Sequence, residues 1–295
     1  YGHFIIDRLV YLDNHIKSRG IPVIVWGASI GPFSQEPGFE VAMKKHFESL
    51  DSIIVREPVS LAYLTEMGLK RNVIMCPDPA FVLDAVPTEL GGDIAEFLQE
   101  PCLGINLSAF LSKYTTEGNV KKWEARATRM VQVLLRNIGL PIIMIPHVYG
   151  DGISEKIDDR AFMKKIYKNL STRERENVRV LGDDLNCENL KWVISKLEAF
   201  AGTRMHAAIA AMASNTPCLS LAYSRKFYGV NEMIFSNSRW VMDASELNEG
   251  KICAKVVEML DNKEEIERTL RTVIPTLKEQ AFEAAQIIRC VLSNR

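Results

Sequence analysis

Short, continuously apolar runs recur along this chain, each separated from the next by a longer stretch with helical spacing. That alternation leaves few folds open. Ile21 to Trp26 is the first such run, bounded by Gly20 and Gly27. Others stand at Ser52 to Val55, Val73 to Cys76, Cys102 to Leu107, Pro141 to Ile145, Val178 to Leu181, Glu198 to Ala201, Cys218 to Leu221 and Trp240 to Met242. Runs of this length without polar alternation read as strands covered on both faces. Between them, helices are expected from Phe39 to Leu50, Pro58 to Gly68, Val120 to Asn137, Asp159 to Leu170 and Met205 to Ala213. Pro58 suits a first helical turn and Gly68 a C-terminal stop. Strands alternating with helices dictate an α/β fold with parallel sheets.

At 295 residues, the chain is long enough for two domains of about 150 residues each. The segment from Ala85 to Pro101, with two prolines and the Gly91-Gly92 pair, reads as the linker, part of it able to form a short helix. This gives a first Rossmann-like domain over 1–88, a second over 89–260 and C-terminal helices over 261–295 that pack back on the first. Pro275 should kink or end the last helix. The chain opens at Tyr1 directly in an amphipathic pattern, with Phe4, Ile5, Leu9, Leu12 and Ile16 near helical spacing. We therefore expect the first domain to be N-terminally truncated.

Composition removes some classes of function. A formal net charge of -1 gives no basic face for nucleic acid. Mixed clusters such as Arg173 to Glu176 read as solvated surface. The six cysteines lie mostly in apolar runs without CxxC or zinc-ligand spacing, so reduced, buried thiols in a cytoplasmic chain are expected. No run approaches the roughly 18 to 20 apolar residues of a membrane span.

The most informative stretch runs from Ala199 to Gly229. It reads as a buried strand, a Gly202-Thr203 turn, an alanine-rich helix opening on Arg204 and His206, and a second strand ending in Ser224-Arg225-Lys226. Thr203 suits a helix N-cap. Arg204 does not suit the positive end of a helix, unless an anion sits there for its guanidinium to grip. His206 beside such an anion is placed to move a proton near neutral pH.

Other motifs also follow strands. Pro146-His147 puts a histidine at a strand end, with Asp158-Asp159 downstream as a helix cap. Arg56-Glu57 stands where a strand hands over to a helix, and the two are expected to pair or to serve the helix end. In the loop Gly27 to Phe33, Gly27 and Gly31 flank Ser29 and permit close backbone approach to a ligand. Neither GxGxxG nor GxxxxGK[ST] is present, so no dinucleotide fingerprint or P-loop is indicated. Asp78, between Pro77 and Pro79, is expected to cap or brace its turn.

In order and approximate spacing, this set resembles the polysaccharide pyruvyl transferase family: Gly27 to Phe33, Val55-Arg56-Glu57 with Ser60, Pro77 to Pro79, Pro146-His147, and Gly202 to His206 with Tyr223 to Lys226. The likeness covers about residues 20–245. It implies two Rossmann-like domains facing a cleft in a GT-B-like fold, and transfer of a pyruvyl group from phosphoenolpyruvate to a sugar as a ketal. On that resemblance Arg204, Lys226, Arg56 and Ser224 bind the donor, His206 and His147 are catalytic, and Gly27, Ser29 and Gly31 form a cleft loop. Phosphoenolpyruvate is a co-substrate, and no further cofactor or metal is expected. The acceptor would be a glycan or lipid-linked glycan of the cell surface, met in the cytoplasm with transient contact at the inner membrane face.

Two other readings stand beside this one. The first is a GT-B glycosyltransferase using a nucleotide-sugar, with Glu232 at the ribose. The second is a non-catalytic binding protein of polysaccharide assembly.

Overall fold

The computed structural model describes residues 3–34, 36–150, 152–154, 157–182 and 184–293, the side chains of His3, Phe4 and Pro37 excepted. It is α/β, with two all-parallel sheets. The chain divides into two compact units, Tyr1–Phe81 with Pro275–Arg295, and Val82–Ile274. The first break falls before residue 88 because the segment beyond Phe81 is bonded into the second unit. There Lys191 Nζ donates to Leu83 O at 2.5 Å and Val86 N donates to Glu188 O at 3.2 Å.

The first unit carries a three-stranded sheet of order β1-β2-β3, with β1 Ile24–Ala28, β2 Ser52–Val55 and β3 Val73–Met75. β2 is central and wholly buried. Ile53 and Val55 pack with Met43, Phe47 and Leu50 of the preceding helical segment and with Leu64 and Leu69. The first strand departs from the sequence expectation. It begins at Ile24 rather than Ile21, and Trp26 is 54% exposed instead of covered. Among the described residues β1 pairs only with β2, so it is an edge without a neighbour to shield Trp26. Gly27 lies inside β1 rather than beyond it, at φ +65°, where the register between Trp26 and Ala28 slips. A bulge at this point is a role glycine fills at little steric cost.

The second unit holds six strands in the order β6-β5-β4-β7-β8-β9. These are β4 Leu103–Asn106, β5 Ile142–Met144, β6 Val178–Val180, β7 Ala199–Gly202, β8 Cys218–Ala222 and β9 Val241–Asp243. The chain starts at the centre with β4, moves outward to β6, returns to β7 on the other side of β4 and moves outward again. This is the doubly wound arrangement, with its topological switch between β4 and β7. β4, β5, β7 and β8 are buried along their whole length, as their apolar runs require. Gly104 of β4 leaves room for Leu197 and Phe200, whose side chains occupy the space a Cβ would need. The helix Val120–Ile138 is capped by Asn119 and stopped by Gly139 at φ +66°. It buries Trp123, whose Nε1 donates to Ser108 O at 2.9 Å and whose ring stacks on Phe162.

Pro275 does not end the last helix, which runs from Lys263 to Ser293. The buried stripe Ile266, Leu270, Ile274, Leu277, Ala281 and Ala284 continues across the proline. That burial outweighs the one backbone hydrogen bond the ring removes. Ala284 packs with Ile54 and Cys76 in the first unit. Of the six cysteines, Cys187 and Cys290 are exposed, and the other four are buried. No helix among the described residues is long and apolar enough to cross a membrane.

Candidate functional site

In doubly wound sheets, ligands bind beyond the carboxyl ends of the strands at the switch point. Here those ends are Asn106 of β4 and Gly202 of β7, which stand side by side in register. Asn106 is fully buried and tied in four directions. Its Nδ2 donates to Ile145 O at 2.8 Å and to Asp159 Oδ2 at 3.3 Å. Its Oδ1 accepts from Thr203 Oγ1 at 2.9 Å and from Arg204 N at 3.1 Å. Thr203 is therefore not the helix cap its sequence position suggested. The cap position of the helix Met205–Ala213 is Arg204, and the Thr203 hydroxyl is spent on Asn106.

Asp159 is the second buried anchor. Asp158 caps the helix Asp159–Asn169, as expected, but Asp159 is its first residue and is inaccessible to solvent. Its Oδ2 accepts from the backbone N–H groups of His147 at 3.2 Å and Val148 at 3.1 Å. Arg204 Nη2 reaches Oδ1 at 2.8 Å, while Nε lies 3.2 Å from both oxygens. Arg204 Nη2 also donates to Ile157 O at 3.1 Å. The cation that looked misplaced at a helix N-terminus thus has an anion supplied by the chain itself. The Nε–Nη2 edge of the guanidinium, the edge suited to a ligand carboxylate, grips Asp159.

His147, at the end of β5, follows from this arrangement. Its backbone is pinned by Asp159, while its Nδ1 is buried without a hydrogen-bond partner. Burial holds its pKa down, to about 4, helped by positive charge at His206 and Arg204 and opposed by Asp159. His147 therefore feels the charge at His206, which stands far from it in sequence. At neutral pH His147 is an uncharged imidazole, whose affinity for a proton rises if negative charge enters beside it.

β8 delivers Tyr223, Ser224 and Arg225, and Lys226 opens the helix Lys226–Phe235. Ser224 Oγ is buried without a hydrogen-bond partner, the second such side-chain atom at this end of the sheet after His147 Nδ1. Lys226 Nζ lies over the Tyr223 ring, 5.4 Å from its centroid. Glu232 is exposed on the same helix.

The first unit gathers Arg56, Ser29 and Asp78. Arg56 Nε donates to Ser29 Oγ at 2.9 Å, and Nη1 to Asp78 Oδ2 at 2.7 Å. Of the two roles expected for Arg56 and Glu57, mutual pairing gives way to this ion pair, and service at the helix end holds for Glu57. Glu57 instead caps the helix Pro58–Glu66, accepting from Ser60 N at 3.1 Å and from the Ser60 hydroxyl. Asp78 also braces its turn, as expected, by accepting from Ala80 N at 2.9 Å. The opening left by Gly31 is filled from within the chain. Gly31 stands at φ +78° and the Tyr63 ring occupies the place a Cβ would take. The Tyr63 hydroxyl accepts from Phe33 N at 2.7 Å and donates to Glu40 at 2.6 Å.

Sequence reasoning passed over Asn106 and read Asp159 as a cap. An asparagine at the last position of an otherwise apolar strand was the available signal, since a buried amide there must find partners.

A doubly wound second unit in one chain with a smaller parallel-sheet unit defines an α/β protein of the GT-B type. Solved structures agree on the fold. A UDP-N-acetylglucosamine 2-epimerase from Listeria monocytogenes, described as putative, matches with a TM-score of 0.65 at 12% identity, over 97% of this chain and 70% of the other. A UDP-forming trehalose-phosphate synthase from Burkholderia xenovorans matches with a TM-score of 0.65 at 12% identity, over 96% and 72%. The sequence pattern of the polysaccharide pyruvyl transferases matches residues 12–225, and the chain belongs to that family. It is 26% identical over 260 residues to the amylovoran biosynthesis protein AmsJ of Erwinia amylovora. That alignment takes in 86% of this chain and 61% of AmsJ, so the chain spans about three-fifths of its relative's length.

Proposed function

We propose that this chain transfers a pyruvyl group from phosphoenolpyruvate to two hydroxyls of one sugar in a surface polysaccharide or its precursor, forming a ketal. One observation carries the reading. Three strand ends around the switch point deliver His147, Arg204 with His206, and Ser224 with Lys226, two histidines among cations, which suits a small donor carrying both a carboxylate and a phosphate.

The reaction needs a proton at C3 of phosphoenolpyruvate and an oxygen at C2. His206 gives its proton to the methylene carbon, and the first sugar hydroxyl adds to C2 while its own proton passes to a base. Neutral His147 takes that part. Phosphate then leaves with the C2–O bond electrons as the second hydroxyl closes the ketal, and that hydroxyl's proton passes to His206, which is neutral after giving its own, or leaves with phosphate. Lys226 and the Ser224 hydroxyl hold the donor's anionic groups. Arg204, braced by Asp159, presents its remaining N–H groups and positive field.

Replacing His206 by Gln should lower ketal formation by roughly 100-fold or more while leaving the fold intact. Phosphate release from phosphoenolpyruvate, measured with a polysaccharide precursor as acceptor, is the readout. Undiminished turnover would remove His206 from the chemistry.

A further inference from the structure

A group of aromatic side chains at the carboxyl end of the second unit's sheet takes no part in the donor chemistry described above. Phe110 lies in the turn Ala109–Leu111 that follows β4, Tyr114 in the short helix Ser112–Thr115, and Tyr223 is the first residue beyond β8. Their ring centroids form a triangle, with 5.2 Å between Phe110 and Tyr223, 5.5 Å between Tyr114 and Tyr223, and 5.8 Å between Phe110 and Tyr114. β4 and β8 are not neighbours, because β7 lies between them. With parallel strands about 4.8 Å apart, rings from the two outer strands meet only by reaching past the end of β7, the strand that delivers Arg204 and His206.

The platform is anchored on one side and open on the other. Tyr223 packs on buried Phe227, with centroids 5.5 Å apart, whereas Tyr114 is 44% exposed. Lys113 Nζ lies 4.9 Å from the Phe110 centroid and Lys226 Nζ 5.4 Å from that of Tyr223. Next to Tyr223 is the buried Ser224 hydroxyl that lacks a hydrogen-bond partner. Such a group has a cost unless something supplies its bond.

These features suit a sugar ring. An aromatic face carries negative charge density, and the carbon-bound hydrogens on one face of a pyranose are made electropositive by their neighbouring oxygens. That face is flat and apolar, while the hydroxyls at its rim call for hydrogen bonds. We infer that Phe110, Tyr114 and Tyr223 form the acceptor subsite, in which a pyranose ring of the glycan stacks on the exposed Tyr114 ring that the other two brace, with its hydroxyls turned toward the strand ends. The inference rests on reading the chain as a sugar-modifying transferase, and it sets the acceptor next to the donor, whose Lys226 borders Tyr223.

The test uses methyl pyranosides of gluco, galacto and manno configuration as probes. Saturation-transfer NMR is recorded on the chain, on Tyr114→Ala and on Tyr114→Phe. At least one pyranoside should bind through the hydrogens of one face and shift the ring resonances of Tyr114 and Tyr223. Binding should weaken about tenfold in Tyr114→Ala and persist in Tyr114→Phe. Three outcomes overturn the inference: no pyranoside binds, the shifts fall only on other residues, or Tyr114→Ala binds as tightly as the unmodified chain. Thermal shift with phosphoenolpyruvate, run alongside, separates this inference from the donor reading. A chain that binds a pyranoside on the platform but is not stabilised by phosphoenolpyruvate would contradict the donor and leave the acceptor subsite standing.

Discussion

His147 is the residue whose behaviour is most sharply set by its surroundings. Its pKa is lowered in the folded chain, from 6.5 to about 4, so between those values the unfolded chain binds the extra proton and the folded chain does not. Stability from this group is therefore complete above pH 6.5 and is lost as pH falls toward 4, by an amount on the order of 3 kcal/mol. Replacing His147 by Gln should flatten the fall in unfolding free energy over that window, as measured by urea titration at successive pH values. An identical pH profile in the variant would place the proton uptake elsewhere. Gly31 gives a second prediction at this scale. A Cβ there meets the Tyr63 ring, and φ is +78°, so Gly31→Ala should destabilise the first unit by more than about 2 kcal/mol. Unaltered thermal unfolding would contradict it. Both residues were legible in the sequence as notable, but only in part for the right reason. The glycine was legible as a site of close approach, yet what approaches is a tyrosine 32 positions away (63 − 31), and a spacing of that kind follows from tertiary packing alone.

Among the elements, the decisive construction is the joining of three strand ends and one helix start by two buried polar residues. Asn106 ties β4 to β5 and β7, and Asp159 ties the start of its helix to His147 and Arg204. Asp159→Asn keeps the volume and removes the charge opposite a largely buried arginine. Breaking such a pair costs about 3 kcal/mol or more, so a marked loss of stability is expected, with weaker donor binding because Arg204 loses its brace. Calorimetric unfolding that matches the unmodified chain would show the pair to be incidental. The strands themselves were legible because runs such as Ile142 to Ile145 are apolar throughout, which only a doubly covered strand requires. The departures have local causes. Ile21 to Val23 look like a strand by composition but lie ahead of the pairing with β2. Pro275 looks like a stop, but the apolar stripe on either side keeps the helix going. The Arg204–Asp159 pair was not legible, since an ion pair across 45 residues (204 − 159) leaves no periodic trace in sequence.

For the whole molecule, the chain belongs to the polysaccharide pyruvyl transferase family and has a GT-B-type fold, and phosphoenolpyruvate is the donor proposed for it. Fold likeness to proteins named for UDP-linked reactions does not carry their ligands across, because identities of 12% speak to architecture alone. The proposed donor follows from the switch-point residues, since clustered histidines and cations suit a compact molecule with a carboxylate and a phosphate, while a nucleotide needs a base and a ribose site as well. The most direct test is thermal unfolding of the chain with phosphoenolpyruvate and, separately, with UDP, each for the unmodified chain and for Arg204→Ala. Phosphoenolpyruvate at about a hundred times its dissociation constant should stabilise the unmodified chain by roughly 2.7 kcal/mol. UDP should not stabilise it, and the variant should lose the response to phosphoenolpyruvate. Stabilisation by UDP with no response to phosphoenolpyruvate would contradict the account.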